Sequence, residues 1–270
     1  MKFFPAMAAS CVKIFSKREL VLLLTAKTLR EKHLGSMLGL FWIVYNALFP
    51  LISYIFIFFY IAGVKVQGAD NPFDYVIFVF SGLLPWTMFN STAVESVDTL
   101  SSNLELMKQA IFPVETLSLV SVLEKIAVLL IQVLLLVPVY IYIHPEVWYR
   151  VLYLPLFLFP LVLFCLGFSW IFSIAGFFLR DLKNIFTSAF SFLVFVSPML
   201  YKPENAPERL RIIFTLNPIT HMINCFRDIL YNTSFMYRDS WTAFGLLSIF
   251  VFLFGYYLIL SAKFYIGDMV

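Results

Sequence analysis

Between Leu38 and Ile61 the chain runs for 24 residues without one charged side chain. At about 1.5 Å of rise per residue, a helix of that length covers roughly 36 Å, more than the ~30 Å hydrocarbon core of a bilayer. Lipid offers backbone amides no hydrogen bonds, so such a run must be a helix that satisfies itself. Apolar stretches recur at 73–94, 117–143, 151–179, 185–200 and 241–262. The composition agrees: 61% of the 270 residues are hydrophobic and 13% are charged, where a soluble domain carries about 25% charged residues. The expected fold is all-α and integral to the membrane, with six transmembrane helices in residues 38–270.

Residues 1–37 form a separate segment. Phe3 to Ala9 is too short, and too close to Pro5, for the core of a signal peptide. Ala8-Ala9-Ser10-Cys11 has the outline of a lipoprotein cleavage site but lacks the apolar stretch before it. The first span is therefore expected to be retained and to direct insertion. Residues 12–33 read as an amphipathic helix, with Val12, Phe15, Leu22, Ala26 and Leu29 on one face and Lys13, Lys17, Lys27 and Glu31 opposite. Such a helix lies in the headgroup plane, its lysines toward anionic lipid or a partner. A plain orientation signal accounts for the same residues equally well. Arg18, Lys27, Arg30 and Lys32 precede the first span closely and only Lys65 follows it, which places the N-terminus in the cytoplasm; six spans then place the C-terminus there too.

The connections carry the finer pattern. In 98–113, Leu100, Leu104, Met107 and Ile111 fall on one narrow stripe of a short helix. Glu124 and Lys125 precede the most apolar part of the third span and are expected at its interface, with Lys125 snorkelling to water; a buried functional ion pair is the alternative. Between 202 and 240, Pro207 to Phe214 has room for two helical turns. Asn217-Pro218 then supplies an N-cap and a first-turn proline. Ile219, Met222, Ile223, Phe226, Ile229 and Leu230 make one apolar face beyond it. Both helices are too short to cross, so they lie flat on the surface or re-enter, buried in protein.

Catalytic chemistry is missing. His33, His144 and His221 are far apart, and Cys11, Cys165 and Cys225 form no CxxC pair, so neither a metal site nor a disulfide framework is expected. Gly63 to Gly68 has the glycine spacing of a phosphate loop, but Ala69-Asp70 follows it where Lys-Ser/Thr is required. Asn90-Ser-Thr92 falls within a span, and Asn232-Thr-Ser234 is external and usable only in a glycosylating host. Basic residues are scattered, without the stripe of a nucleic-acid binder. Ionisable residues deep in the spans are not expected, so any energy comes from a partner. Trp42, Tyr45, Trp86, Phe89, Trp170 and Tyr201 sit in spans or at their ends. Interfacial anchoring accounts for each one singly; as a group they suit sliding contacts to the apolar faces of sugar rings.

The order of features resembles one family. A basic N-terminal helix leads into Leu38-Gly-Leu-Phe-Trp42 and Phe49-Pro50-Leu51. Gly82-Leu-Leu-Pro-Trp86, Phe112-Pro113, Arg180-Asp181-Leu-Lys183, Ser197-Pro-Met-Leu-Tyr201, Asn217-Pro218 and Phe226-Arg227 follow. Across essentially the whole chain this is similar to the permease subunits of type-2 ABC exporters of cell-surface polysaccharide, the branch of O-antigen (Wzm-like), capsule and teichoic-acid exporters. The resemblance implies a homodimer in the bacterial inner membrane around a conduit for an undecaprenyl-linked polymer, O-antigen foremost. Two separate ATPase subunits would hold ATP and Mg, with no cofactor on this chain. It further implies ATPase coupling through Leu100, Leu104, Met107, Lys108 and Ile111 and through Arg180, Asp181 and Lys183. The external gate would be built on Pro207, Phe214, Asn217, Pro218, Met222 and Phe226. Leu179 departs from the aromatic that many members carry before the arginine. A type-2 ABC permease for small molecules or lipids is the alternative; a membrane enzyme acting on lipid-linked sugars would need convergent carboxylates or histidines.

Overall fold

The computed structural model describes residues 17–34, 41–61, 72–104, 115–179, 181–201, 207–232 and 234–269. Among them every regular element is helical. In chain order these are α1 (Arg18–Leu29), α2 (Phe41–Tyr54), α3 (Pro72–Ser96), α4 (Glu115–Ile143), α5 (Leu154–Phe178), α6 (Leu182–Val196), α7 (Glu208–Leu216), α8 (Pro218–Leu230) and α9 (Arg238–Met269). A π-helical turn, Arg30–Leu34, continues α1, another, Ile55–Ile61, continues α2, and a 3-10 stretch, Pro145–Tyr153, leads into α5.

Four stretches are long and apolar enough to cross a bilayer: Asp74–Ser96, Glu115–Ile143, Trp148–Phe178 and Arg238–Ala262. They coincide with four of the six expected spans. The expected fifth span is α6, whose 15 residues reach only about 22 Å, short of the ~30 Å core. The expected first span is α2 with its π turn.

Helices α5 and α9 pack closely. A Cβ built on Gly255 would lie 2.3 Å from the carbonyl oxygen of Gly167, and one built on Gly167 would lie 2.5 Å from that of Val251. Small residues let helix backbones touch in this way. Gly255→Val is therefore expected to force α5 and α9 apart, at a cost above the ~1–3 kcal/mol of ordinary overpacking. A thermal unfolding midpoint in detergent equal to that of the unsubstituted protein would contradict the contact. Around this seam Phe89, Phe157, Phe164, Phe168 and Phe244 form a continuous aromatic core, with ring centroids between 4.8 and 6.1 Å apart along the chain of contacts.

Helix α1 packs on the body with a face beside the expected apolar one. Val21 is buried and Leu24, Thr25, Thr28 and Leu29 are half-buried against α4, whereas Leu22 and Ala26 are exposed. The two threonines tolerate this face because their hydroxyls donate to Val21 and Leu24 carbonyls at 2.8 and 2.9 Å. Val12, Phe15 and Lys13 lie outside the described residues. With Leu22 and Leu23 pointing outward, α1 has apolar surface on both sides and packs on the helical body on one of them.

Helix α8 is buried on all sides. All six residues of its expected apolar face are buried, and so are Thr220, Asn224, Cys225, Arg227 and Asp228 on the other sides. It is enclosed by α3, α5 and α9.

Candidate functional site

One cluster of charged residues is assembled from three elements. Glu95 closes α3, Glu124 and Lys125 lie on α4, and Lys32 sits in the π turn after α1. The ammonium of Lys125 lies 2.6 Å from Glu95 Oε1 and 2.9 Å from Glu124 Oε2. Lys32 also binds Glu95 and stands 3.5 Å from Glu124. Glu124 is fully buried and the Lys125 side chain nearly so, so Lys125 is paired inside the protein and does not snorkel to water as expected. Two cations and two carboxylates balance, so the cluster carries no net charge. Burial alone would lower the pKa of Lys32, but the hydrogen bond and charge of Glu95, with Glu124 behind it, outweigh that and raise it above the ordinary value.

This cluster stands between two cavities. One, of about 290 Å³, opens between α2, α3 and α4 and has Lys125 in its wall. The other, of about 410 Å³, is lined by Thr28, Lys32, Glu95, Asp98, Ser102 and Lys183 among others. Lys183, at the start of α6, pairs with Asp98 just beyond α3. The two connections expected to face the ATPase are thus tied to each other directly.

At the other end, α8 is fastened by two buried charges to which the sequence alone assigns no structural role. The guanidinium of Arg227 lies 3.8 Å from the Phe78 ring centroid and donates to the Met199 carbonyl at 2.9 Å. The Asp228 carboxylate accepts from Asn232 Nδ2 at 2.8 Å, from the Met236 and Tyr237 amides at 3.1 and 3.0 Å, and from Trp241 Nε1 at 3.1 Å. That places Asn232 in a buried hydrogen bond, so it does not present the glycosylation triplet to solvent. Arg150 donates to the Asn232 carbonyl and stacks over Phe235 at 4.6 Å, joining the 3-10 stretch to the turn after α8.

The aromatic residues divide. Trp42 and Tyr45 are exposed on α2, with ring centroids 5.5 Å apart and Phe49 stacked 5.2 Å beyond Tyr45. Trp86 and Phe89, expected beside them, are buried against Phe190 and Phe164, and the chain's own core takes up their faces. Trp170 is buried, its indole N–H 3.4 Å from the Glu115 carbonyl. Tyr201 is half-buried and donates to the Phe195 carbonyl at 2.7 Å.

Of the expected coupling stripe, Leu100 is buried inside the helical body and Leu104 is exposed. Asp181 is exposed as well. Met107, Lys108, Ile111 and Arg180 lie outside the described residues. Among the expected gate residues, Asn217 Oδ1 accepts from the Ile219 amide at 3.0 Å, capping α8 with Pro218 in its first turn. Met222 and Phe226 are buried, Phe214 on α7 is buried, and Pro207 is exposed. Among the described residues no three His, Cys, Asp or Glu side chains are grouped to hold a metal ion.

The sequence can be set beside known proteins on this geometry. The ABC-2 type transporter family matches residues 19–231. Two O-antigen export system permease proteins RfbA of Klebsiella pneumoniae are similar to this chain. One is 30% identical over 223 residues, covering 82% of this chain and 83% of the relative. The other is 27% identical over 216 residues, covering 79% and 81%. The O-antigen export system permease protein RfbA of Myxococcus xanthus is 22% identical over 222 residues, covering 81% and 83%.

Proposed function

The chain belongs to the ABC-2 type transporter family, and from that premise we propose that it is the membrane permease of an exporter that moves lipid-linked O-antigen. Family membership implies an ABC ATPase as its partner, and the chain is a multi-pass membrane protein. The observation that carries the substrate is the 30% identity to an O-antigen export permease over most of both chains. On this reading two copies form the conduit in a bacterial inner membrane, and ATP and Mg are bound and consumed on the partner subunit. The polymer travels on an undecaprenyl-type carrier.

Six spans with both termini cytoplasmic fit the pairing of the connections. Lys32, Glu95, Asp98 and Lys183, all expected on the cytoplasmic side, gather around one cavity, and Arg150 meets Asn232, both expected outside. The exposed Leu104, with Met107, serves as the ATPase contact, and the Lys183–Asp98 pair passes its movement to α6. The buried α8 with α7 forms the external gate, and Trp42, Tyr45 and Phe49 offer the exposed aromatic track. Replacing both Leu104 and Met107 with Asp is expected to leave the permease in the membrane while export falls to background, because charges cannot enter an apolar cleft on the ATPase. Full export by that double variant would contradict the coupling role. The proposal itself is tested by copurification: an affinity-tagged permease should retain an ATPase subunit through detergent extraction, and a strain lacking the permease should accumulate polymer on the cytoplasmic side.

A further inference from the structure

The cavity between α2, α3 and α4 has a wall that lipid cannot explain. Asn46, Thr87, Asn90, Ser91, Lys125 and Gln132 reach it from three helices, between the ends of α3 and α4. Polar side chains within spanning helices turn toward protein or a water-filled space, since hydrocarbon leaves them unbonded. Asn46 and Thr87 are exposed, so the cavity has an open mouth on the protomer.

Its hydrogen-bonding groups are specific in kind. Asn90 Oδ1 is buried and has no donor among the described residues, an acceptor left empty at a cost like that of a lost hydrogen bond. The Thr87 hydroxyl donates to the Leu84 carbonyl at 2.9 Å and the Ser91 hydroxyl to the Thr87 carbonyl at 2.8 Å. Each hydroxyl oxygen is therefore left to accept. The Lys125 charge is already matched by Glu95 and Glu124, so the wall does not select an anion. Phe80, Leu83 and Val128 supply apolar surface on the remaining sides. Hydroxyl acceptors and amides around apolar surface fit a group that has hydroxyls on its edge and C–H bonds on its faces. The volume of about 290 Å³ is at the small end of the ~300–1,000 Å³ range of ligand pockets, which suits one such ring and excludes a folded chain.

We propose that this cavity is a binding subsite for a single uncharged sugar residue, with Asn90 Oδ1 accepting from one of its hydroxyls. The inference rests on the proposed export of a lipid-linked glycan and deepens it. It moves sugar recognition from the buried rings of Trp86 and Phe89 to the polar face of α3 with α2 and α4.

The test is photo-crosslinking in cells that make the polymer, with the permease and its ATPase expressed together. p-Benzoylphenylalanine at Val128, in the cavity wall, should yield an adduct that stains for glycan. The same residue at Leu134, on the exposed side of α4, should yield lipid alone. Asn90→Leu combined with Gln132→Leu should lower the glycan adduct about tenfold, the effect of two lost hydrogen bonds, and Gln132→Asn should retain it. If the Leu pair does not reach the membrane, Asn46→Leu at the exposed mouth gives the same reading. A strain unable to make the polymer distinguishes the source: loss of the adduct identifies the exported glycan, and its persistence identifies the sugar of a resident glycolipid in the same subsite. An adduct at Val128 containing only phospholipid or a second copy of the chain, or one undiminished by the leucine variants, would overturn the subsite. Failure of the export reading is separate, since it appears as unchanged surface polymer in cells lacking the permease.

Discussion

Asp228→Ala is expected to leave little correctly folded permease. The carboxylate is fully buried and receives four hydrogen bonds, two of them from the amides that lead into α9 and one from the Trp241 indole. Removing it strands these donors together, each at about 1–3 kcal/mol where water cannot replace the bond. The sum exceeds about 3 kcal/mol and should lower the unfolding midpoint of the detergent-solubilised protein by roughly 6–12 °C. Asp228→Asn keeps one acceptor oxygen and should fall between. The same loss would free α8 from the start of α9, so any protein that survives should export poorly. A midpoint within 2 °C of the parent, on the order of a fraction of a kcal/mol, would contradict the fastening role.

Lys125→Met is the second large effect. It leaves the fully buried Glu124 with Lys32 at 3.5 Å in place of the closer ammonium at 2.9 Å, and removes the 2.6 Å contact to Glu95. Removing one partner of a buried ion pair costs about 3–5 kcal/mol because the other charge remains in place. The sign of the second substitution is the informative part. Adding Glu124→Gln to Lys125→Met should recover stability, since it withdraws the stranded carboxylate, whereas Glu124→Gln alone should destabilise. Independent, additive losses from the two substitutions would show that they do not belong to one cluster.

Local signals in the chain were legible, and long-range partners were not. The N-cap at Asn217, the first-turn Pro218 and the apolar face from Ile219 to Leu230 are all as their spacing implies, because capping and periodicity are settled within a few residues. Four spans likewise follow from continuous apolar runs. The Glu124–Lys125 pair was misplaced because its decisive partners, Glu95 and Lys32, lie on other elements. A lysine that snorkels and a lysine that is paired look alike in sequence. The protein-facing side of α1 was not legible for a related reason: Leu22, Leu23 and Leu24 are adjacent leucines on a helix apolar on both sides, so only the packing on α4 tells the inner face. Trp86 and Phe89 were grouped with Trp42 and Tyr45 by residue type, yet α3 is enclosed by α4, α5, α6 and α8 while Trp42 and Tyr45 of α2 remain exposed. Arg227 and Asp228 carried the one overlooked hint, two charges inside an otherwise amphipathic thirteen-residue helix.

The central claim, that this chain is the permease through which an ABC ATPase exports a lipid-linked polysaccharide, is tested most directly in proteoliposomes. Permease and ATPase would be reconstituted with undecaprenyl-linked O-polysaccharide, and the glycan reaching the compartment opposite the ATPase would be measured with and without ATP. ATP-dependent transfer that requires the permease, and that is absent when ATP is replaced by a non-hydrolysable analogue, is the predicted result. Equal transfer without ATP, or ATP hydrolysis with no glycan crossing while a small lipid does cross, would contradict it.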